Sequence, residues 1–187
     1  LFHLWPLRLT GGFVGVDVFF VISGYLITSH LRRELQDTGR IKLSSFYARR
    51  MRRLLPASLL VLAVTGVAAA LLLPPQLARA AGREVVASTL YVENLWLASR
   101  AVTYSASNDI ASPVQHYWSL STEEQFYAVW PALILLGAWL GRRWLRGRTN
   151  VAIGLVLGTL ALASLVHSMT LTAADPAAAY FVTTTRV

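Results

Sequence analysis

The feature that most restricts how this chain can fold is a succession of long apolar runs, three of them closed by a pair of arginines or of prolines. Residues 14–31 are almost unbroken apolar sequence and end at Arg32-Arg33, and residues 57–73 form a second run that stops at Pro74-Pro75. Further runs occupy 126–140, closed by Arg142-Arg143, and 151–166. About 20 apolar residues in a helix cross the ~30 Å of hydrocarbon in a bilayer, and a helix satisfies its own backbone hydrogen bonds there. The expected fold is all-α, a polytopic bundle of transmembrane helices with spans at about 14–31, 57–73, 126–140 and 151–166. Residues 1–5 read as the end of a first span, so the sequence has the look of a fragment holding four to five spans.

Composition agrees. The chain is 55% hydrophobic and 14% charged, with a mean hydropathy of +0.52, which is too apolar for an ordinary soluble domain. A net charge of +8 raises the question of nucleic acid, and the placement of the charge answers it. Arg32, Arg33, Arg40, Lys42, Arg49, Arg50, Arg52 and Arg53 crowd one segment, and Arg142, Arg143, Arg146 and Arg148 another, so two short stretches hold twelve of the 17 basic residues. That is the pattern of cytoplasmic loops under the positive-inside rule. The expected partner is the lipid bilayer, with no nucleic acid, and the expected location is the inner or plasma membrane, crossed several times.

Parity then constrains the middle of the chain. Residue 73 is outside and the loop at 142–148 is inside, so the run at 126–140 already supplies the inward crossing. The segment 85–97, which contains Glu93-Asn94, is expected to lie at the interface or to re-enter, and 99–113 to form a polar loop. The absence of cysteine excludes disulfides and thiolate metal sites. No Gly-x-Ser-x-Gly elbow, His-Glu-x-x-His or Walker loop occurs, so hydrolase, zinc protease and ATPase chemistry lack support, and no metal is expected.

What remains is carboxylate, histidine and arginine chemistry. In the stretch 116–131, Ser119, Glu123, Tyr127 and Trp130 recur at helical spacing as one polar stripe leading into an apolar run. Two readings fit. Ser119 or Ser121 caps a helix with Glu123 and Glu124 in its first turn, or a functional carboxylate faces a polar cavity in the bundle. Asp17 shares a stripe with Val21, Gly24 and Thr28, which favours a bundle-facing role. Arg49, Arg50 and Arg53 fall within one arc of a helix with Phe46. They either set topology and bind lipid headgroups, or grip the phosphates of a cytosolic donor. Of four histidines, topology places His30 at the inner end of its span and His3, His116 and His167 towards the outer face. His3, in an apolar context, is the best general-base candidate.

Four motifs stand in order: Leu1-Phe2-His3; Gly12-Phe13-Val14-Gly15-Val16-Asp17 continuing to Ser23-Gly24-Tyr25; Phe46-Tyr47-Ala48-Arg49-Arg50 continuing to Arg53 and Pro56; and Trp118-Ser119-Leu120-Ser121-Thr122-Glu123 continuing to Phe126-Tyr127 and Trp130-Pro131. Together they closely resemble the membrane-bound acyltransferase-3 family, whose bacterial members O-acylate cell-envelope sugars. The resemblance covers the whole chain and about the first half of a domain of roughly ten spans. It implies an acyltransferase that moves an acyl group, acetyl above all, from acyl-CoA to a hydroxyl of an extracytoplasmic glycan such as lipopolysaccharide, exopolysaccharide or peptidoglycan, with no cofactor beyond the acyl-CoA donor. It makes His3 the base for the acceptor hydroxyl, makes Arg49, Arg50 and Arg53 the donor-side arginine motif, and prefers Glu123 over Glu124 as the motif carboxylate. Asp17, Ser119 and Tyr127 join the substrate-binding candidates. The family arginine about ten residues before the histidine would precede Leu1. The rival reading is a transporter or flippase with Asp17 and Glu123 lining a substrate path, and a weaker one is a non-catalytic membrane scaffold.

Overall fold

A computed structural model of the chain describes residues 14–104 and 112–186. They are helical, with no β-strand among the described residues. In order the helices are α1 (Val14–Thr38), α2 (Leu43–Leu72), α3 (Pro75–Thr89), α4 (Glu93–Tyr104), α5 (Tyr117–Trp144), α6 (Thr149–Ala174) and α7 (Pro176–Phe181), followed by a 3₁₀ turn at Thr183–Thr185.

Local sequence accounts for most of the breaks. Gly39 takes the left-handed conformation at φ +71° and its N–H donates to the Leu35 carbonyl, closing α1 in the way glycine favours. The Pro74-Pro75 pair ends α2 and starts α3, with Pro75 in the first turn, where its missing N–H costs nothing. Asp175 caps α7 by accepting from the Ala178 N–H at 2.9 Å, with Pro176 just inside the helix.

Among the described residues three helices are long and apolar enough to cross a membrane: α1 with 25 residues, α2 with 30 and α6 with 26. The expected runs at 14–31 and 151–166 lie within α1 and α6, and 57–73 runs one residue past the end of α2. α2 starts well before residue 57, because the basic stretch from Leu43 onwards is already helical and Pro56 sits inside the helix. The run at 126–140 lies within α5, which at 28 residues has the length but carries Tyr127, Trp130, Pro131 and Trp139 among its aliphatic residues. The segment 85–97 is two helices rather than one: α3 and α4 meet at a turn in which Tyr91 adopts φ +55°. At ~1.5 Å per residue each is too short to span. Helix α4 also takes in 99–104, which the sequence reading gave to a polar loop. Side chains such as Val21, Tyr25, Leu71 and Leu72 are more than two-thirds exposed, as apolar surface facing lipid rather than water would be.

The helices form two compact units. One comprises the described residues up to Ile41, together with Trp130–Leu157 and Arg186; the other comprises Lys42–Val129 and Gly158–Thr185. In the first, Gly137 and Gly141 let α5 and α6 meet closely: a Cβ on either would come within 2.7 Å of the Cα of Ile153 or Thr149. The Trp130 indole donates to the Thr28 hydroxyl at 2.6 Å, so the α1 stripe does face another helix at that position. In the second, Leu62, Val114 and Tyr117 form the core, with Val85 and Leu120 against them.

Candidate active site

The second unit brings the arginine motif and the carboxylates together. Side-chain contacts join α2 and α5 along their length: the Tyr47 hydroxyl donates to the Ala128 carbonyl at 2.8 Å, Arg50 pairs with Glu124 at 2.9 Å, and the Tyr117 hydroxyl donates to the Ser58 carbonyl at 3.2 Å. Moving up α2 corresponds to moving down α5, so the two run antiparallel.

The centre of this contact is Arg50. Its Nη2 donates to Glu124 Oε1 at 2.9 Å, and its guanidinium lies over the Tyr127 ring, 3.4 Å from the centroid, a cation–π arrangement. The Tyr127 hydroxyl in turn donates to Glu123 Oε1 at 2.7 Å, the i,i+4 contact that the helical stripe predicts. Tyr127 is buried, and the Arg50 and Glu124 side chains are each about four-fifths buried, at 22% and 21% exposure. Arg50 Nε is buried and meets no hydrogen-bond acceptor among the described residues. A buried donor of this kind is costly unless something else accepts from it.

Several sequence expectations change here. The capping account of Glu123 and Glu124 fails, because α5 starts at Tyr117 and its first turn holds no acidic residue. Ser119 is turned to its own backbone, donating to the His116 carbonyl at 3.2 Å. Glu124, which the family motif ranked below Glu123, is the carboxylate that holds Arg50. The division of the site into a cytoplasmic arginine cluster and an outer carboxylate also fails, since Arg50 and Glu124 touch and cannot lie on opposite sides of a bilayer. Arg50, near the start of α2, is packed against α5 rather than standing free of the helices.

Of the other candidates, Arg49 and Arg53 are exposed, and Arg49 lines a shallow depression of about 300 Å³ with Arg52, Ser44 and Ser45. Asp17 belongs to the first unit, where it pairs with Arg186. His3 lies outside the described residues. No cluster of three or more metal-ligating side chains occurs among the described residues.

The family model described as an acyltransferase domain matches residues 1–182. The chain belongs to the acyltransferase-3 family. It is 37% identical over 187 residues to the peptidoglycan O-acetyltransferase OatA of Listeria monocytogenes, covering 99% of this chain and 29% of that protein. Against the O-acetyltransferase OatA of Staphylococcus aureus (strain NCTC 8325 / PS 47) it is 39% identical over 189 residues, covering 100% and 30%. A protein of S. aureus (strain COL), provisionally named an O-acetyltransferase, is 47% identical over 135 residues, covering 72% and 22%. The chain thus spans less than a third of the length of these relatives. No solved structure is significantly similar. With three membrane-length apolar helices, this acyltransferase domain is part of a membrane protein.

Beside the Arg50 cluster, the acyltransferase domain holds a second polar group that sequence reading passed over. Gln125 donates to the Tyr91 carbonyl and to Asn94 Oδ1, both at 2.8 Å. Asn94 donates to Thr183 Oγ1 at 2.9 Å and to the Phe181 carbonyl at 3.1 Å. These bonds tie α5, one residue past Glu124, to α4 and to the end of α7. Trp118 adds an aromatic contact to Tyr180, with ring centroids 5.0 Å apart. The only advance signal was the polar pair Glu93-Asn94 inside an apolar segment.

Glu93 is fully buried, accepting from the Ser88 hydroxyl at 3.3 Å. Burial first, and the neighbouring Glu84 carboxyl second, push its pKa up to about 8. The folded protein therefore holds a proton on Glu93 that the unfolded chain releases at ordinary carboxylate pH. Stability should fall as pH rises from about 4.5 towards 8 and then level off. Thermal melts of the full-length protein across that range test this. Glu93→Gln should flatten the profile and raise the midpoint at pH 8 by several degrees, about what 1–2 kcal/mol gives.

Proposed function

We propose that the chain belongs to the membrane domain of an O-acetyltransferase that moves an acetyl group from acetyl-CoA to a hydroxyl of an extracytoplasmic cell-envelope glycan, working in the plasma membrane. The observation that carries this reading is the Arg50–Tyr127–Glu123–Glu124 cluster with its unmet Arg50 Nε donor. The names of the OatA relatives support the acetyl group and the glycan class. Arg50 would offer Nε to an oxygen of the acyl donor. Glu123, held by the Tyr127 hydroxyl, would orient the acceptor or its base. His3 would take the acceptor proton as the hydroxyl oxygen attacks the thioester carbonyl; the new C–O bond forms, the C–S bond breaks, and CoA leaves as its thiol.

The test is acetyl transfer by the full-length protein in proteoliposomes, with labelled acetyl-CoA and cell-wall glycan fragments. One thiol should be released per base-labile ester formed, and only when acceptor is present. His3→Ala should lower the rate by about 10²–10⁴-fold. A correctly inserted His3→Ala protein with full activity, or a wild-type protein that releases no thiol, would refute the reading.

A further inference from the structure

The first unit contains a cleft of about 480 Å³ lined by Arg32 and Gln36 of α1, Arg142 of α5, Arg148 of the α5–α6 turn, and Thr149 and Asn150 at the start of α6. Three arginines converge there, no carboxylate lines it, and none of the three has a carboxylate partner among the described residues. The positive-inside rule explains why arginines occupy these stretches, but not why they share one cavity. Like charges gathered without a counter-charge repel, so the arrangement suits a site that receives one.

The backbone builds this convergence. Gly137 and Gly141 let α6 approach α5 closely, and Arg146 and Gly147 take φ +51° and +81° to turn the chain. The Gly147 N–H returns to the Gly141 carbonyl at 3.0 Å, which holds Arg148 on the same side as Arg142. Gln36 donates to Asn150 Oδ1 at 3.2 Å, joining α1 to the first turn of α6. That first turn adds the positive end of a 26-residue helix to the cleft wall. Guanidinium forks, a helix N-terminus and side-chain amides are donors that match phosphate oxygens.

The geometry points to this cleft as a phosphate-binding site for a ligand with more than one phosphate charge, namely the phosphorylated nucleotide end of the acyl-CoA donor. This assignment rests on the proposed acyl-CoA reaction and adds Arg32, Arg142 and Arg148, which share one cleft, to the donor-side arginines. The cleft volume is in the range of small-molecule sites. An anionic lipid headgroup offers the same phosphate chemistry, so the experiment has an arm for each source.

Full-length protein in phosphatidylcholine nanodiscs is titrated with adenosine 3′-phosphate 5′-diphosphate, and phosphatidylglycerol retained from the native membrane is measured by mass spectrometry. The Arg142→Gln/Arg148→Gln double variant should bind the nucleotide at least 10-fold more weakly than wild type, with a shallower salt dependence. Arg148→Lys should keep most of the binding, and Arg83→Gln on α3 should bind as wild type. Unchanged nucleotide affinity with loss of retained phosphatidylglycerol would keep the phosphate site but overturn the nucleotide as its ligand. No change in either would overturn the site. Acetyl transfer measured in parallel separates the two claims: weakened binding in the double variant beside an inactive wild type defeats the proposed function alone, while an active wild type and an equally binding, equally active double variant defeat this inference alone.

Discussion

Glu123→Gln in the full-length protein should lower kcat for acetyl transfer by about 100-fold while leaving expression and thermal stability close to wild type. The substitution keeps the size of the side chain and an oxygen able to accept from Tyr127, so the 2.7 Å contact can survive in weaker, uncharged form. What is lost is the negative charge next to a tyrosine that carries Arg50 on its ring. Misplacing a reacting group by about 1 Å can cost that much in rate. If Glu123 only shaped helix packing, kcat would stay within a few-fold and the stability would change instead. Steady-state kinetics beside a thermal melt of the same preparation decide between the two.

Replacing Arg50 should have the largest combined effect. Arg50→Ala strands Glu124, which is about four-fifths buried, and removes the cation from the Tyr127 face. Loss of one partner from a fully buried pair costs about 3–5 kcal/mol, and the remaining exposure of this pair brings the expectation down to about 1–3 kcal/mol. Activity should fall by more than 100-fold, because Tyr127 and Glu123 lose their anchor as well. Arg50→Lys keeps the charge but not the planar fork or the flat contact with the ring, and should recover stability better than activity. Equal recovery of both would mean that the guanidinium serves packing alone. Melting curves and initial rates on the same three proteins read this out.

The helices were legible because a bilayer leaves few choices: an apolar run of sufficient length must be a helix. The same logic kept α3 and α4 out of the set of spans, on the strength of Glu93-Asn94 and the parity of the basic loops. The stripe of Glu123 and Tyr127 was legible too, since an i,i+4 contact is written in the spacing. Partners across helices were not. Arg50 and Glu124 are 74 positions apart, and Asn94 and Thr183 are 89 apart; periodicity says which face a residue occupies, not what lies opposite it. The helical arc of Arg49, Arg50 and Arg53 was legible, and α2 does begin at Leu43, but the stretch was placed in the cytoplasm because arginine runs carry a topology signal. What the spacing did not show is that Arg50 of this arc meets Glu124 and Tyr127 of α5. The cleft at Arg32, Arg142 and Arg148 was hidden for a related reason: in sequence those arginines carry a topology signal, and only the close packing of α5 on α6 at two glycines collects them.

The claim that the arginine motif and the Trp-Ser-Leu carboxylates form one centre is tested most directly by a double-mutant cycle between Arg50 and Glu124. The cycle is read in kcat/KM for acetyl transfer by the full-length protein, with Arg50→Ala, Glu124→Ala and the double variant measured together. The structure predicts strong coupling, with the double variant no worse than the poorer single variant and an interaction energy of about 1–3 kcal/mol. Losses that simply add would show that Arg50 and Glu124 act at separate places, and would contradict the site described here.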